Sequence, residues 1–284
     1  MRSGTTDGRR QTADDQSGIS SAVRRPPSVS PPQPATLLFI HGAGSNADFW
    51  HLQHKAFPQA HYVNLPGHGR GTAIEPVPPD WLGEPHTLIA RYASWVVDYV
   101  ERAHLTDVVL NGHSMGGAVA LEVALAKPEW LRGLMLTCTG PRFLVTQQLM
   151  QMLRDNYTEA VDFIIAESFG WASTPLTYAQ KVRRDGTRKQ MLRTSQQVTL
   201  ADYEASLTFD VRDRLGEISV PTLVTVGEQD RITPPLLSRE LHAGIPNSMF
   251  EPQQGAGHML PMEAPQEYNA LVANCLDMPY NKSE

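Results

Sequence analysis

Cysteine is nearly absent: the 284 residues contain two, Cys138 and Cys275. A disulfide framework is thereby excluded, and no Cys/His cluster has metal-site spacing. The two read as buried thiols in a reducing compartment. Long apolar runs are missing too. No stretch of about 18 apolar residues exists, so no segment reads as a membrane-spanning helix. Basic pairs at Arg9-Arg10 and Arg24-Arg25 are not followed by the apolar stretch that a secretion signal needs. Nor is there a basic excess. Twenty-four Lys and Arg face 30 Asp and Glu, a formal net charge of −6, which leaves no electrostatic footprint for nucleic acid. With 41% apolar and 19% charged residues the composition is that of a globular protein. The expectation is a cytoplasmic protein with neither a nucleic-acid nor a membrane partner, a monomer or a homodimer.

What is present falls into three stretches. Residues 1–34 are rich in Ser, Thr, Gly, Arg and Pro and end in Ser28-Val29-Ser30-Pro31-Pro32-Gln33-Pro34. Such a segment buries too little apolar surface to offset its chain entropy, so it is expected to be flexible, with at most a short strand near Ile19 to Val23. After Pro34, strands and helices alternate. A continuous apolar run at Thr36 to Ile40 predicts a strand buried on both faces, and further strands are predicted over Ala60 to Leu65, Asp107 to Leu110 and Arg132 to Cys138. Between them, helices are predicted over Ala47 to Phe57, His86 to His104 and Ala118 to Ala126. This alternation implies an α/β protein with a mostly parallel central sheet and helices on both faces.

Residues 141–210 break the rhythm. Five helices are predicted there, over Pro141 to Arg154, Thr158 to Phe169, Leu176 to Arg184, Thr187 to Gln197 and Leu200 to Phe209, with no strand between them. Seventy residues of helix between two strands of one sheet form an insertion, expected to be a cap over one edge. The sheet resumes at Val220 to Val226. A helix opened by Thr233-Pro234-Pro235, a strand over Asn247 to Pro252 and a helix over Pro265 to Asp277 complete the chain. The expected organisation is thus a core of 35–140 and 211–279 with a helical cap at 141–210.

Gly112-His113-Ser114-Met115-Gly116-Gly117 sits between a buried strand and a small-residue helix and matches the G-x-S-x-G nucleophile elbow. The turn strains the serine backbone, and its neighbours must lack side chains for the chain to bend so sharply. A serine hydroxyl needs a base to become nucleophilic. Of ten histidines, only His242 and His258 follow Ser114. His242 falls inside a predicted helix. His258 lies in the loop Gly255-Ala256-Gly257-His258, from which a side chain can reach the end of the sheet. Gly227-Glu228-Gln229-Asp230 follows a strand and offers two acids, Asp230 first and Glu228 second. His41-Gly42-Ala43-Gly44 follows the first strong strand, and its small residues let the backbone approach a substrate carbonyl. The expected oxyanion donors are the N–H groups of Ala43 and Met115. His41, His68 and His113 read as structural.

Together HGAGSNADFW at 41–50, NLPGHGRG at 64–71, NGHSMGGAVALEVA at 111–124, VPTLVTVGEQDRITPP at 220–235 and GAGHMLPMEAP at 255–265 resemble the α/β-hydrolase superfamily. The likeness is to its capped esterases and meta-cleavage-product hydrolases, over about residues 36–278. It implies the α/β-hydrolase fold and the chain order Ser114, Asp230, His258 for a catalytic triad, with no cofactor and no metal. Dehalogenases and epoxide hydrolases of the superfamily place Asp where this chain has Ser114. Family members begin with an antiparallel strand pair, where this chain is polar and Pro-rich. The resulting expectation is hydrolysis of a small-molecule carboxylic ester of small to medium acyl chain through an acyl-enzyme. Two alternatives stay open: hydrolysis of a carbon–carbon bond in a diketo acid, and a small-molecule receptor that retains the triad. The diketo acid would need a polar or cationic partner for its carboxylate, and Asn46, Arg142, Arg183, Arg184, Arg188 and Arg193 are the candidates.

Overall fold

The computed structural model describes residues 35–69, 75–171 and 175–278. The segment 1–34, with the short strand expected near Ile19 to Val23, lies outside them, as do Arg70 and Gly71 of the second loop motif.

Six strands form one wholly parallel sheet among the described residues: β1 (Thr36–Ile40), β2 (His61–Val63), β3 (Val108–His113), β4 (Leu131–Thr137), β5 (Thr222–Gly227) and β6 (Ser248–Gln253). Their order is β2-β1-β3-β4-β5-β6. The alternation within β1 shows why its run is apolar throughout. Leu38 and Ile40 pack into one core cluster, with Leu110, Leu136 and the helices α2 (Leu88–Arg102) and α3 (Met115–Ala126). Leu37 and Phe39 point to the opposite face, into a second cluster with Trp50, Met135 and Tyr268. Successive side chains of a strand face opposite ways, so a strand covered on both sides must be apolar at every position. The edge strands relax this rule: β6 alternates half-buried and exposed residues over Ser248–Glu251. On α2, Leu88, Ile89, Tyr92, Ala93, Val96 and Val100 bury one stripe at helical spacing. Each fully buried Leu or Val there is worth roughly 1.5–3 kcal/mol of transfer free energy.

The strand order reverses between β1 and β3, because β2 lies on one side of β1 and β3 on the other. In a parallel sheet the chains leaving two such strands diverge, and a crevice opens at their carboxyl ends. His41-Gly42-Ala43 leaves β1 and Ser114 leaves β3 at that point.

Between β4 and β5 run four helices, α4 (Gln147–Asp155), α5 (Tyr157–Ser168), α6 (Tyr178–Met191) and α7 (Gln196–Thr208). They belong to the same compact unit as the sheet. The predicted helices over Leu176 to Arg184 and Thr187 to Gln197 are one helix, α6, which begins with a capping box between Thr177 and Gln180. It runs through Asp185-Gly186, where an added Cβ would meet open space. The real break falls later, where the Ser195 hydroxyl accepts from the N–H of Val198 and starts α7. The helix expected from Pro141 starts only at Gln147, because Thr146 caps it and Arg142 is drawn into a bridge with Asp210. The helix expected over Ala47 to Phe57 is a 3-10 turn at Ala47–Trp50 followed by further turns. There the Asn46 side chain caps the N–H of Asp48, and Phe49 and Trp50 both bury. After β5 come α8 (Pro235–Gly244), then α9 (Leu260–Glu263) and α10 (Pro265–Leu276), with α9 unforeseen in the sequence. A short helix α1 (Pro79–Leu82) was also unforeseen.

Candidate active site

Ser114 joins β3 to α3 with φ 54° and ψ −123°, outside the regions that L-residues favour. Packing holds it there. Its N–H donates to Thr137 O at 3.0 Å, and its carbonyl accepts from Gly117 N–H and Thr139 Oγ1, each at 2.8 Å. The flanking glycines are steric requirements. A Cβ on Gly112 would lie 2.3 Å from Gly116 O, and one on Gly116 would lie 2.4 Å from Ile40 O. The elbow can be this sharp only because the start of α3 crosses the ends of β1 and β3 at backbone contact. Met115 is the first residue of α3, so its N–H belongs to the helix-start donors that no carbonyl of the helix can satisfy.

His258 and Asp230 meet across the ends of β5 and β6. His258 Nδ1 lies 2.9 Å from Asp230 Oδ2, with both side chains almost fully buried. Thr233 Oγ1 stands 2.8 Å from the same oxygen. Asp230 Oδ1 accepts from the N–H groups of Ile232 and Thr233 at 2.9 and 2.8 Å. Burial alone would raise this carboxyl; the His258 ring and the Thr233 donors outweigh it and hold it below the usual carboxylate range. Glu228 is exposed, and its N–H donates to Gln253 O on the outer strand, so of the two acids only Asp230 faces the histidine. His242 lies on α8 and bonds Ser248, far along the chain from the Ser114 elbow.

Three further histidines surround the site and take the structural roles expected of them. His113 is buried; burial first, then His258, hold it down to about 3, so the ring is neutral. Its Nε2 donates to His258 O at 2.9 Å, and its ring stacks on Phe49. His41 braces the first loop, with Nδ1 on Gly42 O at 2.9 Å and Nε2 accepting from Leu65 N–H at 3.1 Å. His68 lies between Asp202 Oδ2, at 2.8 Å from Nε2, and the carbonyls of Leu65 and Pro66.

Ser114, Ala43 and His258 line one chamber, as small-molecule sites are concave. Its far wall comes from α5, α6 and α7: Ile164, Ile165, Gln190, Met191 and Tyr203. A second, outer cleft shares Ala43, Ser114, Tyr203 and Ile232 and is walled by Phe143, Leu144 and Phe163. Met150, Phe169 and Phe209 are buried and line neither space. Trp171 lines neither space as well. Tyr203, at the junction of the two spaces, escaped the sequence reading, since a Tyr in an otherwise unremarkable helical stretch carries no signal of direction.

Asp202 escaped it too. This carboxylate on α7 is fully buried and accepts from Gly44 N–H at 2.8 Å, His68 Nε2 at 2.8 Å and Tyr92 Oη at 3.1 Å. Glu263, beside the histidine loop, accepts from Gly257 N–H and Gly170 N–H, each at 2.9 Å. Burial raises its carboxyl to about 7, against the pull of those two donors. Among the described residues the one group with metal-like proximity is His113, Cys138 and His258, within 4.8 Å of one another. The His258 Nδ1 there already faces Asp230, and His113 Nε2 donates to a carbonyl. Burial, with Asp230 nearby, also pushes the Cys138 thiol well up, away from the thiolate a metal would need.

Residues 37–271 match the family model described as the alpha/beta hydrolase family. A 2-hydroxy-6-oxononadienedioate/2-hydroxy-6-oxononatrienedioate hydrolase of Paraburkholderia phymatum is 31% identical over 265 residues, covering 85% of this chain and 86% of that protein. A pimeloyl-[acyl-carrier protein] methyl ester esterase of Yersinia enterocolitica is 25% identical over 253 residues, covering 84% and 92%. The solved structure of a thermophilic esterase superposes with a TM-score of 0.70 at 27% identity, covering 85% of this chain and 89% of that one. With a serine on a strained elbow at the switch point of a six-stranded parallel sheet, and a match spanning nearly every described element, the chain belongs to the alpha/beta hydrolase family and is a hydrolytic enzyme.

Proposed function

We propose that the protein is a serine hydrolase that cleaves neutral carboxylic esters of small to medium acyl chain, with Ser114, Asp230 and His258 as its triad. The observation that carries the reading is the convergence of a strained elbow serine and a buried His258–Asp230 pair on one chamber. In this reading His258 takes the proton of Ser114 as the hydroxyl attacks the ester carbonyl. Asp230 fixes the ring tautomer and stabilises the imidazolium. The N–H groups of Ala43 and Met115 receive the oxyanion. The alcohol leaves with the proton from His258. Water, deprotonated by the same ring, then attacks the acyl-enzyme and releases the acid. Helices α4–α7 act as the cap at 141–210, supplying the wall that selects the acyl group.

Neutral substrates are favoured by the way the arginines are spent. Arg142 binds Glu240 at 2.8 Å, and Arg183 donates to Met262 O at 2.7 Å. Arg184 pairs with Asp185, Arg188 with Asp162 and Arg193 with Asp48. Asn46 accepts from Gln190 and does not line the chamber. Arg231, at the outer cleft, is engaged by Glu167 at 3.0 Å. The inner chamber is lined by no Arg or Lys among the described residues, which leaves the carboxylate of a diketo acid without a counter-charge there.

The test is a panel of p-nitrophenyl esters of rising chain length beside a dienoic diketo acid. The expected result is turnover of the acetate or butyrate, a loss of at least about a thousandfold in kcat in Ser114→Ala with the fold intact, and fluorophosphonate labelling of Ser114. A higher kcat/KM on the diketo acid would move the protein to carbon–carbon hydrolysis. Stoichiometric labelling without turnover of any ester would favour the receptor.

A further inference from the structure

The loop that carries Ala43 is held from behind by a chain of buried polar groups, and the far end of that chain sits on α7. It starts at the Gly42–Ala43 peptide. Gly42 O accepts from Ser45 N–H at 3.2 Å and lies 2.9 Å from His41 Nδ1. The His41 ring accepts at Nε2 from Leu65 N–H, so Nδ1 carries the proton and donates. Burial first, and then the nearby His68, hold His41 well below the usual histidine range, in keeping with a neutral ring. A peptide is planar and trans, so fixing the carbonyl of Gly42 fixes the N–H of Ala43 on the opposite side.

The next peptide is pinned by a different partner. Gly44, in the left-handed region at φ 63°, donates its N–H to Asp202 Oδ2 at 2.8 Å. Ala43 therefore lies between two immobilised peptide planes. Rotation of either plane must break the Gly42 or the Gly44 bond. Asp202 is itself fully committed. The same Oδ2 faces His68 Nε2 at 2.8 Å, and Oδ1 accepts from Tyr92 Oη at 3.1 Å. His68 has an acceptor at each nitrogen: Asp202 on one side, and Pro66 O at 3.1 Å with Leu65 O at 3.3 Å on the other. A ring so placed donates from both nitrogens, the imidazolium form. Burial works against that charge, but the Asp202 carboxylate outweighs it and raises His68 above the usual range. Leu65 is thus tied through its N–H to His41 and through its carbonyl to His68.

We infer that Asp202 is a positioning residue, which together with His68 and His41 holds the Ala43 N–H in the orientation that receives the oxyanion. The inference rests on the serine-hydrolase reading of Ser114. It adds that α7 is part of the oxyanion device as well as of the pocket wall, so that the hole is complete only with this helix docked. A carboxylate suits the task because one atom, Oδ2, must accept from a backbone N–H and from a charged ring at once. Asparagine in the same place keeps one acceptor oxygen but lacks the charge that holds His68 as the imidazolium.

The test compares wild type with Asp202→Asn on a p-nitrophenyl ester and on a short alkyl boronic acid, which adds to a nucleophilic serine as a tetrahedral anion. A displaced donor weakens the transition state and its analogue but not ground-state binding. The expected loss in kcat is at least about tenfold, approaching the ~10² of deleting an oxyanion donor, with KM within about threefold. The boronate Ki should weaken by the same factor as kcat/KM. His41→Phe, which removes the donor to Gly42 O and keeps a ring, should give the same signature and decides the matter if Asp202→Asn does not fold. A folded variant with kcat and boronate Ki within about twofold of wild type, or a loss carried by KM alone, overturns the inference. Fluorophosphonate labelling of wild-type Ser114 separates the two layers. Without it the serine-hydrolase reading fails; with it, an indifferent Asp202→Asn removes only the role of Asp202.

Discussion

The two oxygens of Asp230 have different partners, and this decides what an amide would do there. Oδ1 closes the turn on the N–H groups of Ile232 and Thr233, while Oδ2 faces His258 Nδ1. Asparagine at 230 keeps its oxygen on the two N–H donors and turns its NH₂ toward the histidine. The ring is then forced into the tautomer with Nε2 protonated, which cannot take a proton from Ser114. Asp230→Asn is expected to cost about 10³–10⁴ in kcat with little change in fold. Glu228→Gln, at an exposed position, is expected to cost far less. Steady-state kinetics on one ester check the pair, and reversed costs would identify Glu228 as the acid. The same carboxylate bears on acid stability. Its folded pKa lies below the unfolded value, so its contribution is present above about pH 4 and is lost as pH falls through the lowered folded value.

At the scale of elements, α9 carries a group of the opposite sign. Glu263 joins the histidine loop at Gly257 to the end of the α5 segment at Gly170, and its carboxyl is raised to about 7 from 4.5. The native state then holds a proton that the unfolded chain releases, so stability falls as pH rises from about 4.5 to 7 and is level above. The swing is bounded at about 3 kcal/mol. Glu263→Gln cannot ionise, but it sets an NH₂ against one of the two N–H donors. The variant should melt below wild type at pH 5, and the gap should narrow by pH 8; a gap that widens with pH contradicts the burial of this charge. Elements of this kind were legible in the sequence to unequal degrees. Strands β1, β3, β4 and β5 were plain, because burial on both faces writes mostly apolar runs. The Ser114 elbow and the His258 loop were plain because steric need writes glycines around them. Helix α6 was not, since Asp185-Gly186 reads locally as a stop and only packing carries the helix through it. Asp202 was least legible. A buried acid in Leu200-Ala201-Asp202-Tyr203 looks like any solvated helix face, and its three donors come from residues 110 to 158 positions away.

For the whole molecule, charge decides what reaches the site. The formal net charge is −6, spread over 30 acids and 24 bases. The one cation on the outer cleft, among the described residues, is Arg231, and Glu167 already faces it. An anionic ester therefore meets a repelling field on approach and no free counter-charge on arrival, whereas a neutral ester of the same size meets neither. Salt separates the two effects, since the Debye length shrinks from about 30 Å at 0.01 M to about 8 Å at 0.15 M. The expected outcome is a kcat/KM for p-nitrophenyl butyrate that hardly changes with ionic strength. For a p-nitrophenyl half-ester of a short dicarboxylic acid, kcat/KM should be at least about tenfold lower and should rise with salt, as field-dependent encounter requires. Stopped-time assays on the two esters across that salt range measure both quantities. If the anionic ester proves the better substrate and its rate falls with salt, a cation is acting at the site. Substitution of Arg231 would then be the next step, because opening its pair with Glu167 is the shortest route to a carboxylate site beside Ser114.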